Sequence, residues 1–338
     1  MKHARLFSLM VALIVALYGA IGFYLMPQAT FTGELTRMAL LPESLFGWTQ
    51  PQPPVAQHLL RQATMEDADV LVIGDSFSIP LVWQSMLVQQ GIKVRTESWD
   101  SVRGICGDLL PWLHARGFRG KTIVIESIER MLEDRLRGSV GCEHMDYHAL
   151  PNTEATRLPP ATHNDPHYTN FSSPLSISIR TAWQTYTYDK LRVRPDFSSW
   201  MPTPSVRLVR VANGCALFSH AACEDCLFLA EDSPDEIAAA ATEHMTMLQQ
   251  RLPGLRVVWA IVPNKSTVYL YPNKQFWQQA KQRLNAPDLL HTMRAALQHG
   301  SVDLYPANNT HTSTEGYLLM GKEILQAIRS AEQDDTRK

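Results

Sequence analysis

Two short motifs, far apart in the sequence, hold residue types that can act as a nucleophile and a base. The first is Gly74-Asp75-Ser76-Phe77-Ser78, and the second ends in Asn309-Thr310-His311. A serine hydroxyl is a weak nucleophile until a base removes its proton, and histidine is the side chain that most often does so. Ser76 is therefore a candidate nucleophile and His311 its candidate base. The structural alternative is that Asp75 or Ser76 caps a helix and that His311 is an ordinary loop residue.

A buried strand would have to carry Ser76 to the surface. Residues 68–73 form a β-branched apolar run typical of a buried parallel strand, and helical spacing begins near Ile79, with Pro80 in the first turn. The Ser76 hydroxyl would then face the positive end of a helix dipole, among backbone N–H groups able to bind an oxyanion. Gly74 leaves room for the tight turn. His311 would lie between a strand at 302–305 and a helix that starts with a capping box at 312–315.

The same alternation of strands and helices extends over most of the chain. Further strands are predicted near 93–97, 122–126 and 256–262, and further helices near 108–116, after 127, and near 234–251 and 288–298. This alternation predicts an α/β fold with a mostly parallel sheet and helices on both faces. We expect a linker at 27–66, a domain at 67–331 and a polar tail at 332–338. The stretch 138–204 breaks the pattern and is either an inserted lobe, a partly ordered cover or a structureless spacer.

The N-terminus departs from the average composition. With 31 Lys plus Arg and 33 Asp plus Glu, the chain is close to neutral, which argues against a nucleic-acid binder. The basic head of Lys2 and Arg5 precedes 21 uncharged residues, 6–26, a length typical of a single-pass membrane anchor. The alternatives are a cleaved signal peptide and a buried helix. The positive-inside rule leaves the head in the cytoplasm, so the domain would lie in the periplasm of a bacterium, on its inner membrane.

Cysteine usage is compatible with export. An oxidising compartment would allow two disulfides and one leftover thiol among the five cysteines. The trio Cys215, Cys223 and Cys226, with His220 between them, favours a local disulfide over a zinc site or a redox pair. Cys142, His144 and His148 are interpreted as an ordinary loop. We predict neither a metal nor a cofactor. The five cysteines are Cys106, Cys142, Cys215, Cys223 and Cys226.

The two motifs together resemble the SGNH/GDSL superfamily of serine esterases and acyltransferases. Segments 74–78, 124–130, 262–269 and 309–311 are similar to its AlgX/AlgJ-like branch of alginate O-acetyltransferase-like envelope proteins. The similarity covers roughly residues 67–328. The order of serine before histidine matches the superfamily, whereas the alginate proteins place an Asp-x-His motif before the serine. The resemblance implies a three-layer, flavodoxin-like sheet with Ser76 as nucleophile and His311 as general base.

Further site residues follow from this resemblance. The family's aspartate is replaced by Asn309 or Asn308, so Asn309 is the expected residue that orients the histidine, with Asp303 as an alternative. The Ser76 N–H and Gly104 are expected in the oxyanion hole, with Ser78 and Asp75 as further pocket candidates. A group of charged residues at the end of the third strand and just after it is expected to support the pocket edge. The structural interpretation of this group is a set of ion pairs: Glu126, Glu129 and Arg130.

The resemblance implies transfer of an acyl group, most simply acetyl, to an exported or cell-envelope polysaccharide. A membrane-bound O-acyltransferase would supply the acyl group, the polysaccharide would accept it, and no nucleic acid would be involved. One alternative is an esterase that removes acetyl groups from envelope glycans. Another is a non-catalytic, glycan-binding subunit of an acetylation complex, which the asparagine at 309 favours.

Overall fold

A computed structural model describes residues 2–149, 171–232 and 234–336. The helices are α1 (Lys2–Leu25), α2 (Glu34–Ala39), α3 (Glu43–Phe46), α4 (Ser85–Gln89), α5 (Trp99–Val102), α6 (Leu109–Ala115), α7 (Glu129–Val140), α8 (Leu175–Arg192), α9 (Gly214–Leu217), α10 (Ala240–Gln250), α11 (Lys265–Tyr269), α12 (Phe276–Arg283), α13 (Leu289–Gln298) and α14 (Thr314–Thr336). The strands are β1 (Val70–Gly74), β2 (Val94–Ser98), β3 (Thr122–Ile128), β4 (Ser199–Thr203), β5 (Val206–Arg210), β6 (Asp225–Leu229) and β7 (Arg256–Val262).

The described residues fall into two compact units. The N-terminal unit comprises the described residues within Met1–Gln50, His163–Ala230 and Pro306–Thr310. The parallel-sheet unit comprises those within Pro51–Thr162, Glu231–Tyr305 and His311–Lys338.

The parallel-sheet unit is built on four parallel strands in the order β2-β1-β3-β7. Every residue of β1 and β3 is buried, because helices cover the sheet: α7 packs on β3 and β7, and α13 and α14 pack on β7. The chain goes from β1 to β2 on one side and then to β3 on the other. In an open α/β sheet, ligands bind beyond the carboxyl ends of the strands at such a change of direction. The α/β class and the parallel sheet are confirmed.

Two predicted elements of this unit differ in the structure. Residues 302–305 form no strand but an irregular, bent segment, because Asp303 has a φ of 55°. The Leu304 carbonyl accepts the Ser313 N–H at 2.9 Å instead of pairing with a neighbouring strand. Residues 79–84 form turns rather than a helix, because Leu81 has a φ of 61° after a proline that lacks an N–H. Helix α4 starts only at Ser85, so the helix dipole expected at Ser76 is absent there.

The N-terminal unit contains an antiparallel sheet in the order β4-β5-β6. Residues 27–50, expected to be a linker, fold into this unit through α2 and α3, because their apolar side chains, Leu35 and Phe46 among them, are fully buried. Residues 51–66 belong to the parallel-sheet unit, where Leu60 is buried and Gln62 accepts the Thr96 N–H at 3.0 Å. Within the stretch 138–204, the structure describes α8 and β4 as ordered, while residues 150–170 lie outside the described residues.

Helix α1, with the short 3-10 helix after it, forms an apolar and mostly exposed stretch, His3–Ala29, that is long enough to cross a membrane. Such a helix fits a membrane anchor or a signal sequence.

Two disulfides are formed, Cys106–Cys142 and Cys215–Cys223, and Cys226 is a buried thiol. The cysteines therefore follow the expectation of two disulfides and one leftover thiol. No group of metal ligands occurs among the described residues.

Candidate active site

The parallel-sheet unit brings Ser76 and His311 into hydrogen-bonding contact. The His311 Nε2 atom lies 2.8 Å from Ser76 Oγ, in the range of a serine hydroxyl donating to a neutral imidazole. Ser76 is exposed at the carboxyl end of β1, and His311 is half-buried. The ring of Phe77, which is fully buried, lies 4.7 Å from the His311 ring between centroids and supports one of its sides. The pair thus has the geometry of a nucleophile with its base.

The turn that holds Ser76 is fixed by the carboxylate of Asp75. Its Oδ1 accepts the Phe77 N–H at 2.9 Å, and its Oδ2 accepts the Ile128 N–H at 2.9 Å. Oδ2 also receives the Arg135 guanidinium at 2.6 Å. The buried side chain of Asp75 therefore links the turn after β1 to the end of β3 by hydrogen bonds. Asp75 was expected as a pocket residue, but its carboxylate is buried and both of its oxygens accept hydrogen bonds within the protein.

Glu126, at the end of β3, holds the other side of the same turn. Its Oε2 accepts the Asp75 N–H at 2.9 Å and the Ser78 hydroxyl at 2.7 Å. The Ser78 Oγ in turn accepts the Trp83 indole N–H at 3.1 Å. Ser78 and Glu126 are both fully buried. Ser78 was expected in the pocket, but its buried hydroxyl bonds to Glu126 and Trp83. The exposed hydroxyl of the motif is that of Ser76.

The two buried carboxyls behind Ser76 have opposite pKa shifts. Burial alone would raise the pKa of Asp75, but the charge of Arg135, its hydrogen bond and those of two backbone N–H groups bring that pKa below its ordinary value. For Glu126, burial is the largest cause and the neighbouring negative charge of Asp75 the second, and together they raise its pKa well above the ordinary value. The surroundings of this pair therefore favour the ionised form of Asp75 and the neutral form of Glu126.

Gly74 is required by close packing rather than by its backbone conformation. A Cβ at this position would lie 2.2 Å from Ser78 Oγ and 2.8 Å from a carboxyl oxygen of Glu126. The residue is not among those with positive φ. A side chain here would therefore displace Ser78 and Glu126 and break the hydrogen bond between them.

Of the two oxyanion donors expected, one is available. The Ser76 N–H donates to no acceptor among the described residues. The Gly104 N–H is already used, because it donates to the Val102 carbonyl at 2.8 Å. Gly104 also lies beside Ser139, whose Oγ would be 3.6 Å from an added Cβ. The donor role expected of Gly104 therefore conflicts with its hydrogen bond, whereas that of Ser76 is geometrically open.

Asn308 and Asn309 lie in the N-terminal unit, in the segment that precedes His311 in the sequence. The Asn308 side chain is buried and its Nδ2 donates to a carboxyl oxygen of Glu43 in the same unit. The Asn309 N–H donates to the Pro306 carbonyl at 3.2 Å, which closes a turn. The orienting role of Asn309 stays a prediction. Asp303, the alternative, is fully buried with the positive φ described above.

Glu129 and Arg130 form ion pairs next to this site, but not with Glu126. Glu129 receives the Lys274 ammonium at 2.5 Å and the Asn264 N–H at 2.8 Å. Arg130 lies 3.4 Å from Glu231 and 3.7 Å from Asp232. Glu129 and Arg130, which follow β3, line a cavity of about 310 Å³ together with Asn264 and Lys274, which follow β7. The other side chains that line this cavity are mostly acidic. The expected ion-pair set exists for Glu129 and Arg130, with partners that the sequence did not suggest.

Arg135 is the main site residue that the sequence reading missed. It lies in α7, pairs with Asp75, and also donates to the Ser127 hydroxyl at 2.7 Å. Its guanidinium lies 5.2 Å from the centre of the Trp99 ring. Only an indirect sign of this role is present in the sequence. A buried aspartate directly after a strand needs a cationic or N–H partner, and the helix after a neighbouring strand can supply one.

The chain was compared with protein-family models, with curated proteins and with solved structures, and none of them matches it.

Proposed function

We propose that this protein is an exported serine O-acyltransferase that modifies a cell-envelope or exported polysaccharide, most simply with acetyl groups. The observation that carries the proposal is the 2.8 Å contact between Ser76 Oγ and His311 Nε2 at the exposed carboxyl end of β1. A hydrogen-bonded serine and histidine at such a sheet edge is suited to acyl transfer through a covalent ester. The motif resemblance to SGNH/GDSL enzymes points to the same chemistry.

In the first step, Ser76 Oγ attacks the carbonyl carbon of the acyl donor while His311 Nε2 takes the hydroxyl proton. The negative charge on the carbonyl oxygen is met by the free Ser76 N–H. When the bond to the leaving group breaks, the imidazolium returns the proton to that group. The products are an acyl ester on Ser76 and a neutral leaving group, and His311 is neutral again.

In the second step, a sugar hydroxyl takes the place of the leaving group. His311 removes its proton, the sugar oxygen attacks the ester carbonyl, and the bond to Ser76 Oγ breaks. The imidazolium then protonates Ser76 Oγ and restores the free enzyme. Nothing is oxidised or reduced, and the same histidine acts as base and acid in both steps.

The topology fits a donor on the membrane. Lys2 and Arg5 precede the uncharged stretch 6–26 of the sequence. By the positive-inside rule, we propose that this basic head lies in the cytoplasm and that the chain after the stretch lies outside the bacterial inner membrane. Acetyl-CoA is not expected in the periplasm, so we propose that a membrane-bound O-acyltransferase delivers the acyl group. A retained α1 would keep Ser76 near this supplier, whereas a cleaved α1 would release the domain into the periplasm.

An esterase that removes acyl groups from envelope glycans is the second candidate. One observation favours it: Ser76 is exposed, so water can reach an ester formed there as easily as a sugar hydroxyl can. The chemistry of the first step is unchanged, and water replaces the sugar in the second. The two functions differ only in which hydroxyl compound reacts with the acyl-enzyme.

The test is turnover of a chromogenic acetyl ester by the full-length protein, with and without an acceptor oligosaccharide. Acetylated sugar supports the transferase, and free acetate alone supports the esterase. Ser76→Ala should lower turnover by at least about 10³-fold, whereas Ser330→Ala, at an exposed position of α14, should not change it. Turnover unaffected by Ser76→Ala, or none at all, contradicts both enzymatic functions and leaves a binding subunit.

A further inference from the structure

We infer that one face of α8 contacts the membrane, in the headgroup region around the point where α1 leaves the bilayer. This face, the α8 stripe, consists of Ile179, Trp183, Tyr186 and Lys190, which follow one another at helical spacings of four and three. The inference is independent of the chemistry at Ser76. It rests on the proposed retention of α1 as an anchor.

The α8 stripe reverses the polarity expected of a helix in water. Ile179 is 50% exposed, Trp183 is 67% exposed and Tyr186 is 55% exposed. The buried residues of α8 are Ser178, Thr181 and Tyr188, so only one of these three is a large side chain. A helix on a protein surface in water turns its large apolar side chains inward. The outward face of α8 is therefore suited to a less polar surrounding.

The side chains of the α8 stripe are those favoured at a membrane–water boundary. Tryptophan and tyrosine gather there because each joins an apolar ring to a polar group, and lysine extends its ammonium toward the headgroups. The Trp183 and Tyr186 rings lie 6.0 Å apart between centroids. The Lys190 ammonium lies 5.3 Å from the centre of the Tyr186 ring. Helix α8 holds three bases and one acid, which favours contact with anionic lipid.

The position of α8 within the N-terminal unit supplies the independent argument. Helix α8 packs against α1 and against the 3-10 helix Met26–Ala29 that follows it. Just before α8, Phe171 stacks on Phe23 near the end of α1, with 5.6 Å between ring centroids. Ser173 donates to the Ala29 carbonyl at 2.6 Å. The start of α8 is thus fixed to the last turn of α1 and to the residues directly after it.

The length of α1 sets the depth of this contact. A helix rises about 1.5 Å per residue, so the residues from Leu6 onward cross a hydrocarbon core of roughly 30 Å by about residue 25. Phe23 and Tyr24 then lie at the far boundary, and Phe171 lies at the same level. Neighbouring helices are about 8–10 Å apart. A helix fixed at this level, with an outward stripe of Ile, Trp and Tyr, meets the boundary of the bilayer.

The experiment is fluorescence quenching of the full chain reconstituted in vesicles of phosphatidylcholine and phosphatidylglycerol. Spin-labelled lipids with the label near the headgroup quench from the bilayer boundary, and iodide quenches from water. The signal of Trp183 is obtained as the difference between the wild type and Trp183→Phe. The difference between the wild type and Trp48→Phe serves as the control, because Trp48 lies in the same unit and is 3% exposed.

We expect the shallow lipid label to quench the Trp183 signal and iodide to leave it unchanged, with the Trp48 signal insensitive to both. Quenching of Trp183 by iodide but not by the lipid label overturns the inference. Protection from both quenchers also overturns it, because protein would then cover the α8 stripe. The intact mass of the protein recovered from membranes shows whether α1 is retained, so failure of the anchor is distinguished from failure of the α8 stripe. Ester turnover by Trp183→Phe should equal that of the wild type.

Discussion

The His311 Nε2 atom lies 2.8 Å from Ser76 Oγ, although 235 positions separate the two residues in the sequence. The contact forms inside the parallel-sheet unit. Ser76 lies just after the end of β1, and His311 lies just before the start of α14. Behind it, Asp75 and Glu126 hold the serine turn by hydrogen bonds to its backbone and to Ser78. The site can therefore be tested at its reacting pair and at its supports separately.

Arg135→Met should destabilise the protein by about 3 kcal/mol, because it leaves the buried Asp75 carboxylate without its counter-ion. Chemical denaturation at pH 7 measures this loss. The matched control is Arg137→Met in the same helix, whose side chain is 72% exposed and whose effect should stay within about 0.5 kcal/mol. In a double-mutant cycle with Asp75→Asn, the two changes should couple by more than about 1 kcal/mol. Additive effects would show that the pair contributes no interaction of its own.

Glu126→Gln should become more favourable relative to the wild type as the pH rises. The folded-state pKa of Glu126 is raised by burial, so its contribution to stability is fully present below the ordinary pKa of 4.5 and is lost as the pH rises toward the folded value. Glutamine is neutral at every pH and its carbonyl can still accept from the Asp75 N–H and the Ser78 hydroxyl. The measurement is the difference in melting temperature between the two proteins from pH 5 to pH 8. A difference that is constant over this range would mean that Glu126 titrates as an ordinary surface carboxyl.

Gly74→Ala should destabilise the protein by about 1–3 kcal/mol, because the new Cβ overlaps the Ser78 side chain and the Glu126 carboxyl. Gly138→Ala is the matched control: it lies in α7 with nothing within 4 Å of its Cβ, so it should stabilise by about 0.5–1 kcal/mol. In thermal unfolding, the melting temperature should therefore fall for Gly74→Ala and rise for Gly138→Ala. Equal effects would mean that the space around Gly74 adapts without cost.

The two disulfides should differ in their contribution to stability. The bond Cys106–Cys142 joins residues 36 apart and Cys215–Cys223 joins residues 8 apart. In the chain-entropy model the longer loop stabilises by about 4 kcal/mol and the shorter by about 2.5 kcal/mol. Paired serine replacements at each bond, followed by denaturant unfolding, compare the two losses. A larger loss from the short loop would contradict the entropic ordering.

Much of the parallel-sheet unit could be predicted because its strands are continuous apolar runs. The run that includes β1 and the strand β7 were predicted within two residues, since a strand buried on both faces leaves a clear pattern in sequence. The segment 302–305 looked similar, but a left-handed Asp303 turns it out of extended conformation. Local sequence does not show such a φ, because it is imposed by the surrounding contacts.

In the candidate site, the pairing of Ser76 with His311 could be predicted from the sequence, whereas the residues that hold this pair in place could not. Ser76 and His311 are visible as a motif and a loop histidine, and their order follows the SGNH/GDSL pattern. Arg135, Lys274 and Asn264 enter through contacts between elements far apart in sequence, which no spacing rule encodes. The folding of residues 27–50 into the N-terminal unit was missed because its two short helices are held by packing of scattered apolar residues such as Leu35 and Phe46 rather than by a periodic pattern.

Acyl transfer by Ser76 is tested most directly by mass spectrometry of the full-length protein, acid-quenched during turnover of an acetyl ester. We expect one acetyl group on the peptide that carries Ser76, formed by the wild type and absent from both Ser76→Ala and His311→Ala. An acetyl group on that peptide in Ser76→Ala, or full turnover with no adduct and no loss in either variant, would contradict acyl transfer by Ser76 and His311.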